Sequence, residues 1–233
     1  MESIKVPLDK RKIDMKKQQW RQWIKKSNDF YSQYGEDKII SDNIPADMQG
    51  NILDIGANDG KTLSNSLYFI NRGWGATLIE GSPITAKKLK SLHKENDKVQ
   101  CLNVCLADKE DTVTFYHNTS HMGVGDADLL STIDKDSFLD SNRGNPFEQF
   151  EVTCYPFSHC ELQHETYNIV SIDIEGLDYD ILTQIDLGKI GCEILVIEYH
   201  GHEKLKKQIM DYCAPFGLTK IMHDNKTNII LKK

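Results

Sequence analysis

The residues best suited to chemistry stand at the ends of apolar runs. The first group is Asp54-Ile55-Gly56-Ala57-Asn58-Asp59-Gly60. Without a Cβ, Gly56 and Gly60 let the backbone turn tightly and approach a ligand closely. A pyrophosphate-binding turn needs GxGxxG against a helix N-terminus. Here Asn58 occupies the second glycine position, and Asp54 and Asp59 flank the turn. Acids in these places repel a pyrophosphate but suit a nucleoside bearing a sulfonium and an ammonium, the charge pattern of adenosylmethionine. The second group, Glu80-Gly81, lies 24 residues beyond Gly56. This is near the spacing at which a carboxylate accepts hydrogen bonds from ribose hydroxyls. The third offers Asn103, Leu106, Ala107 and Asp108. Asp108 is placed either to accept from an adenine amino group, with Leu106 and Ala107 beside the ring, or simply to close a turn.

Two further groups suit proton handling. Asp173 and Glu175 end one run, and Glu198 and His200 end the next. In an extended chain each pair points one way. Moving a group onto a hydroxyl oxygen requires a base or a metal to deal with its proton. One of Asp173 and Glu175 could orient a ligand while the other takes the proton, although Glu175 could instead cap the following helix. An imidazole titrates near neutrality, which makes His200 a candidate general base. Asp173, Glu175, Glu198 and His200 could alternatively gather a divalent cation, since oxygen-rich sites with one imidazole do so. Nothing in the spacing requires a metal. His117, His121 and Met122 fall in a stretch, 117–149, rich in Gly, Asp, Ser and Asn. It is expected to be a long loop covering the acceptor, its histidines solvated.

The elements that must position these groups alternate. Strands are expected at Asn51–Ile55, Ala76–Glu80, Val99–Val104, Asn168–Ile174 and Glu193–Tyr199. Helices are expected at Lys61–Asn71, Ile84–His93, Leu177–Ile185 and His202–Cys213. Thr112–Tyr116 and Glu151–Tyr155 alternate apolar and polar residues as strands do. Gly217–Met222 and Thr227–Leu231, separated by His223–Lys226, read as a closing hairpin. The alternation predicts an α/β fold with a mostly parallel sheet and helices on both faces. Its ligand should lie outside the carboxyl ends of the strands, where strand order reverses. A hairpin after five β/α units marks the methyltransferase version of the Rossmann-like fold, seven-stranded with an antiparallel C-terminal pair. A dinucleotide dehydrogenase usually continues with another crossover helix.

Taken together, these residues resemble the FkbM-type methyltransferases. The resemblance spans roughly Tyr31 to Glu198 and rests on four pieces: SQYGED from Ser32, ILDIGANDGKTLSNSLYF from Ile52, LIEGSP from Leu78 and SIDIEG from Ser171. The stretch CYPFSHCEL from Cys154 departs from the family pattern. The resemblance implies adenosylmethionine as methyl donor and usually a hydroxyl acceptor on a sugar, polyketide or other small molecule. It also implies that Gln33 and Asp37 reach the methionine end of the donor. A nicotinamide-linked oxidoreductase shares the first two strands but lacks support from the Asn58 turn and the closing hairpin. A non-catalytic scaffold of the same fold is the remaining alternative.

Composition sets the outer bounds. The chain has 233 residues, enough for one α/β domain, 31–233, behind a short basic helical segment, 1–30. Net charge is −7, yet residues 1–26 carry nine Lys/Arg against three Asp/Glu, so the remainder is at −13. An acidic body argues against broad capture of nucleic acid. In the leader, Trp20 and Trp23 share a helix face that docks on the domain or meets a second copy in a homo-oligomer. Six cysteines without a CxxC pair suggest buried reduced thiols. With neither a signal-peptide pattern nor an apolar span, a cytoplasmic protein with no membrane segment is expected.

Overall fold

The computed structural model describes residues 30–118, 131–136 and 147–233. The expected leader helix with Trp20 and Trp23, and likewise His121 and Met122, lie outside the described residues. In chain order the elements are α1 (Glu36–Ser41), β1 (Asn51–Ile55), α2 (Leu67–Ile70), β2 (Gly75–Glu80), α3 (Pro83–His93) and β3 (Val99–Asn103). Then come β4 (Cys105–Leu106), β5 (Asp111–Asn118), β6 (Phe147–Tyr155), β7 (Ile169–Ile172) and α4 (Asp178–Leu182). The chain closes with β8 (Ile194–Glu198), α5 (Glu203–Cys213), β9 (Lys220–Asp224) and β10 (Asn228–Lys232).

Seven strands form one sheet in the order β3-β2-β1-β7-β8-β10-β9. All the pairings from β3 to β8 are parallel; β10 runs antiparallel to both β8 and β9. This is the α/β architecture and closing hairpin expected from the sequence. Burial on both faces explains why the central strands are continuous apolar runs. Ile52, Leu78, Ile169, Val196 and Ile230 pack on one side. Their neighbours Leu53, Ile79, Val170, Ile197 and Ile229 pack on the other. Four of the six cysteines are buried, Cys105, Cys154, Cys192 and Cys213. Among the described residues, no helix is long and apolar enough to cross a membrane.

Two expectations need correction. The helix expected at Lys61–Asn71 is reduced to the single turn of α2. Asp59 Oδ1 accepts from the N–H of Lys61 and of Thr62, and Ser64 Oγ accepts from the N–H of Ser66 and of Leu67. Leu63 stands between them at φ 56°. Short polar side chains here bond their own backbone and compete successfully with helical bonding. The loop expected at 117–149 is strand at both ends. β5 and β6 pair antiparallel from Asp111↔Cys154 to Asn118↔Phe147, and β4 joins β6 to complete a three-stranded sheet. His117 is therefore buried rather than solvated, its Nδ1 3.3 Å from Ser82 Oγ. Burial lowers its pKa.

The hairpin is fastened through Asp224, which accepts from Tyr199 Oη at 2.5 Å and pairs with Lys206 of α5. Burial pushes this carboxyl upward, but the bonds from Lys206, Tyr199 and the Lys226 N–H outweigh it and bring the pKa from 3.8 to about 2. A depressed carboxylate pKa stabilises the fold above the unfolded value, and that contribution fades as pH falls through the folded value. Asp224→Asn should therefore lower the thermal midpoint at pH 7, with the gap from the unmodified protein closing between about pH 4 and pH 2. Equal midpoints at pH 7 would show that Asp224 does not anchor the hairpin.

Candidate functional site

Strand order reverses beside β1, which has β2 on one side and β7 on the other. A cavity of about 320 Å³ opens there at the carboxyl ends of the parallel strands. Its floor is the turn after β1. Gly56 takes φ 86°, and a Cβ on it would lie 1.7 Å from the Asp173 carbonyl oxygen. The N–H groups of Gly56 and Ala57 both donate to Ile79 O, and Asn58, at φ 52°, donates its N–H to Glu80 Oε2 at 2.9 Å. Glu80 Oε1 accepts from the Ser82 N–H at 2.7 Å. The Glu80 carboxylate is thus held by two backbone donors while facing the cavity, and carboxylate oxygens accept more than one donor each. Asp54 also lines the space, but Ser66 Oγ donates to it at 2.6 Å and Ser171 provides a second hydroxyl. Burial raises Asp54 to about 6 against these two bonds.

One end of the cavity is apolar, walled by Ile79, Val104, Leu106 and Phe115 beside Gly81. Ala107 and Asp108 do not line it. Ala107 is tied to β6 through its N–H and Tyr155 O, and Asp108 is exposed past the turn. Phe115, from β5, stands where the sequence suggested those two residues. Ser131, Thr132 and Ile133 close over this side. Thr132 exchanges backbone bonds with Tyr116 and donates its hydroxyl to the Glu175 carbonyl at 2.9 Å, linking the small sheet to the loop after β7.

The other end is acidic. Asp173, Glu175, Glu198 and His200 all line it, but the strands end at Ile172 and Glu198, so Glu175 and His200 reach it through loops rather than by the period-two geometry expected. Glu175 and His200 have φ of 58° and 49°, and each precedes a left-handed glycine, so the loops after β7 and β8 bend over the same spot. Glu198 is 6% exposed and His200 46%, with His200 Nε2 3.1 Å from Glu198 Oε2. Behind them, Asp178 accepts from the N–H groups of Ile174 and Gly176 and is buried. Burial, then the charges of Glu198, Glu175 and Asp178, push Asp173 well above the ordinary aspartate value. Burial and the charges of Glu175 and Asp178 likewise push Glu198 up. The N-cap position of α4 is held by Leu177, not Glu175, and Leu177 makes no side-chain cap bond.

From the SQYGED segment, Gln33 lines the cavity but Asp37 does not. Asp37 is consumed locally, accepting from the N–H of Tyr31 and Lys38 and from Ser32 Oγ. Its buried neighbour Glu36, which sequence reasoning passed over, accepts from the side-chain amides of Asn225 and Asn228 and so fixes the segment to the hairpin. Gly60 also lies away from the cavity; a Cβ there would meet Leu89 at 2.6 Å, so its role is close packing on α3. Tyr34, Asn65, Thr132 and Asn228 line the site without having been singled out. Tyr34 and Asn65 lie within the quoted SQYGED and ILDIGANDGKTLSNSLYF pieces, whereas no short motif marks Thr132 and Asn228, which long-range folding brings in. Among the described residues the lining contains five carboxylates (Asp54, Glu80, Asp173, Glu175, Glu198) and neither lysine nor arginine. Such a wall suits a cationic nucleoside and disfavours a pyrophosphate.

Residues 54–217 match the family model of the methyltransferase FkbM domain. Among curated proteins none matches the chain. Several solved structures are similar at low identity. A TehB-like SAM-dependent methyltransferase from Corynebacterium glutamicum ATCC 13032 is 11% identical with a TM-score of 0.44, over 97% of this chain and 100% of that one. The N-terminal domain of human METTL16 in complex with SAH is 12% identical with a TM-score of 0.44, over 85% of this chain and 66% of that one. An O-methyltransferase from Bacillus cereus in complex with SAH is 10% identical with a TM-score of 0.38, over 99% and 94%.

The Gly56 contact gives a direct test of the floor. Gly56→Ala adds a methyl group against backbone at a left-handed position, so it should destabilise the fold by more than about 1 kcal/mol. Chemical denaturation measures this. An unchanged midpoint would mean that the turn after β1 is not pressed against β7.

Proposed function

The chain belongs to the FkbM methyltransferase family, and from that premise we propose that it transfers a methyl group from adenosylmethionine to a hydroxyl oxygen of a sugar or another small acceptor. The observation carrying this reading is the cavity at the strand-order reversal, lined by five carboxylates with no lysine or arginine among the described residues. Adenosylmethionine fits that donor set: a nucleoside for the apolar end and Glu80, positive charge for the acidic end. When bound, it supplies an electrophilic methyl carbon on a sulfonium.

The chain's own residues then have separable tasks. Glu80, braced by the N–H groups of Asn58 and Ser82, receives ribose hydroxyls. Leu106, Phe115 and Gly81 offer a flat apolar slot for the base. Gly56, Ala57 and Asn58 carry the backbone past the ligand without bulky side chains, and Gln33 faces it from the N-terminal segment. Asp173 orients the reacting groups. Glu175 and His200 lie at the mouth, where the acceptor must enter, and are placed to hold the hydroxyl and take its proton. Most of the rate then comes from holding two reactants in line.

Incubation with adenosylmethionine and a panel of sugars and small hydroxyl compounds should yield adenosylhomocysteine together with a product heavier by one methyl. Calorimetric binding of NAD without any response to adenosylmethionine would overturn the reading. Glu80→Ala should weaken adenosylhomocysteine binding by ~1–3 kcal/mol, the effect of leaving buried hydroxyls unpaired. Asp173→Ala and His200→Ala should reduce turnover more than they reduce donor binding. Normal turnover in both would remove those residues from the reaction.

A further inference from the structure

Among the described residues three buried side-chain atoms lack a hydrogen-bond partner, His93 Nε2, Asn228 Oδ1 and Glu198 Oε2, and the last stands among the acids of the cavity. Glu198 Oε2 is buried with no hydrogen-bond donor directed at it. His200 Nε2 is 3.1 Å away, close enough for an ion pair, but the contact lacks hydrogen-bond geometry. A buried carboxylate oxygen is costly to leave without a partner. The other buried acids near it are served: Asp178 receives two backbone N–H groups, and Asp54 two hydroxyls. Glu198 receives no backbone N–H or hydroxyl; its side-chain partner is the neighbouring acid Asp173, and its Oε2 is left without a donor.

Its neighbours have the composition of a ligand set. One ligand atom from each of Glu175, Glu198 and His200 lies within 4.8 Å of the others, and the same holds for Asp173, Asp178 and Glu198. Glu198 belongs to both groups. All three members of the first group line the cavity, so an ion held there would keep positions open toward an acceptor, as catalytic metal sites do. Asp178 does not line it and acts as a buried support. Two carboxylates and one imidazole suit a first-row divalent cation such as Mn²⁺ better than an all-oxygen calcium cage.

We propose that Glu175, Glu198 and His200 bind one divalent cation at the mouth of the cavity, where its open positions take the acceptor's hydroxyl oxygen. The ion satisfies Glu198 Oε2 and offsets the charge of the buried acids around it. Glu175 and His200 then serve as ligands rather than as the base, and the acceptor hydroxyl gives its proton to the Asp173 carboxylate, which lines the same cavity, as the methyl leaves sulfur for oxygen. The proposal rests on the methyltransferase reading only for the identity of that oxygen; the site itself stands on its own residues.

The test is titration of chelator-treated full-length protein with Mn²⁺, followed by the paramagnetic resonance of the free ion and by the thermal midpoint. One Mn²⁺ per chain and a rise in midpoint are expected, because an ion that binds only the folded state stabilises it. Glu198→Gln, which keeps shape and burial, should weaken Mn²⁺ binding by at least tenfold. His200→Ala, at a side chain 46% exposed, should do the same. No bound Mn²⁺ in the unmodified protein overturns the proposal, as does equal affinity in both variants. Adenosylhomocysteine should bind alongside the ion. If the two displace each other, Glu198 serves the donor's ammonium and the metal site is rejected. Mn²⁺ binding without any adenosylhomocysteine binding supports the site while refuting the donor reading, so the two failures are distinguishable.

Discussion

The turn after β1 presses its backbone against the end of β7. Gly56 leaves no room for a side chain beside the Asp173 carbonyl, and the Asp173 N–H donates to Ile55 O. That contact fixes the distance between the loop after β1 and the loop bearing Asp173 and Glu175. Because β1 and β7 are parallel and in register, Asp54 and Ser171 are paired across the same contact. The floor of the cavity and its acidic end are therefore one rigid unit, and geometry of this kind is what methyl transfer chiefly demands of a protein.

Charge is the second constraint. The site gathers carboxylates in a low-dielectric crevice, where each ionised group must find donors. The fold supplies them largely from backbone. Glu80 and Asp178 each receive two N–H groups from tight turns. The turns are tight because Gly56, Asn58, Glu175 and Gly176 adopt left-handed φ values. Local strain at Asn58 and Glu175 is thus offset by the bonds it allows, a trade common at functional sites.

Two structures outside the parallel core complete the walls. The small sheet of β4, β5 and β6 brings Phe115 to the apolar end and carries Thr132 over to the loop after β7. The closing hairpin places Asn228 at the site, where it also bonds Glu36 and holds the SQYGED segment across the cavity. Both are antiparallel additions to the parallel unit. They adjust the shape of the opening without disturbing its floor.

The order of strands and helices was legible in the sequence, because burial on both faces forces continuous apolar runs and each run ends where chemistry can begin. For the same reason Gly56, Glu80, Asp173, Glu175, Glu198 and His200 could be named from position alone, since they stand at or just past strand ends, although left-handed turns rather than period-two geometry bring Glu175 and His200 to the cavity. The fates of Asp37, Gly60 and Asp108 could not be read this way. A carboxylate near a site looks the same in sequence whether it faces the ligand or, like Asp37, is absorbed by neighbouring N–H and hydroxyl groups. A glycine looks the same whether it admits a ligand or, like Gly60, a leucine. Phe115, Thr132 and Asn228 reach the cavity only through pairings between residues far apart in the chain. Sequence determined the fold class and the ends of the strands, since these follow from local periodicity and burial. The tertiary structure alone decided which polar atoms are already satisfied and which, like Glu198 Oε2, are not, because hydrogen-bond partners are set by contacts in space.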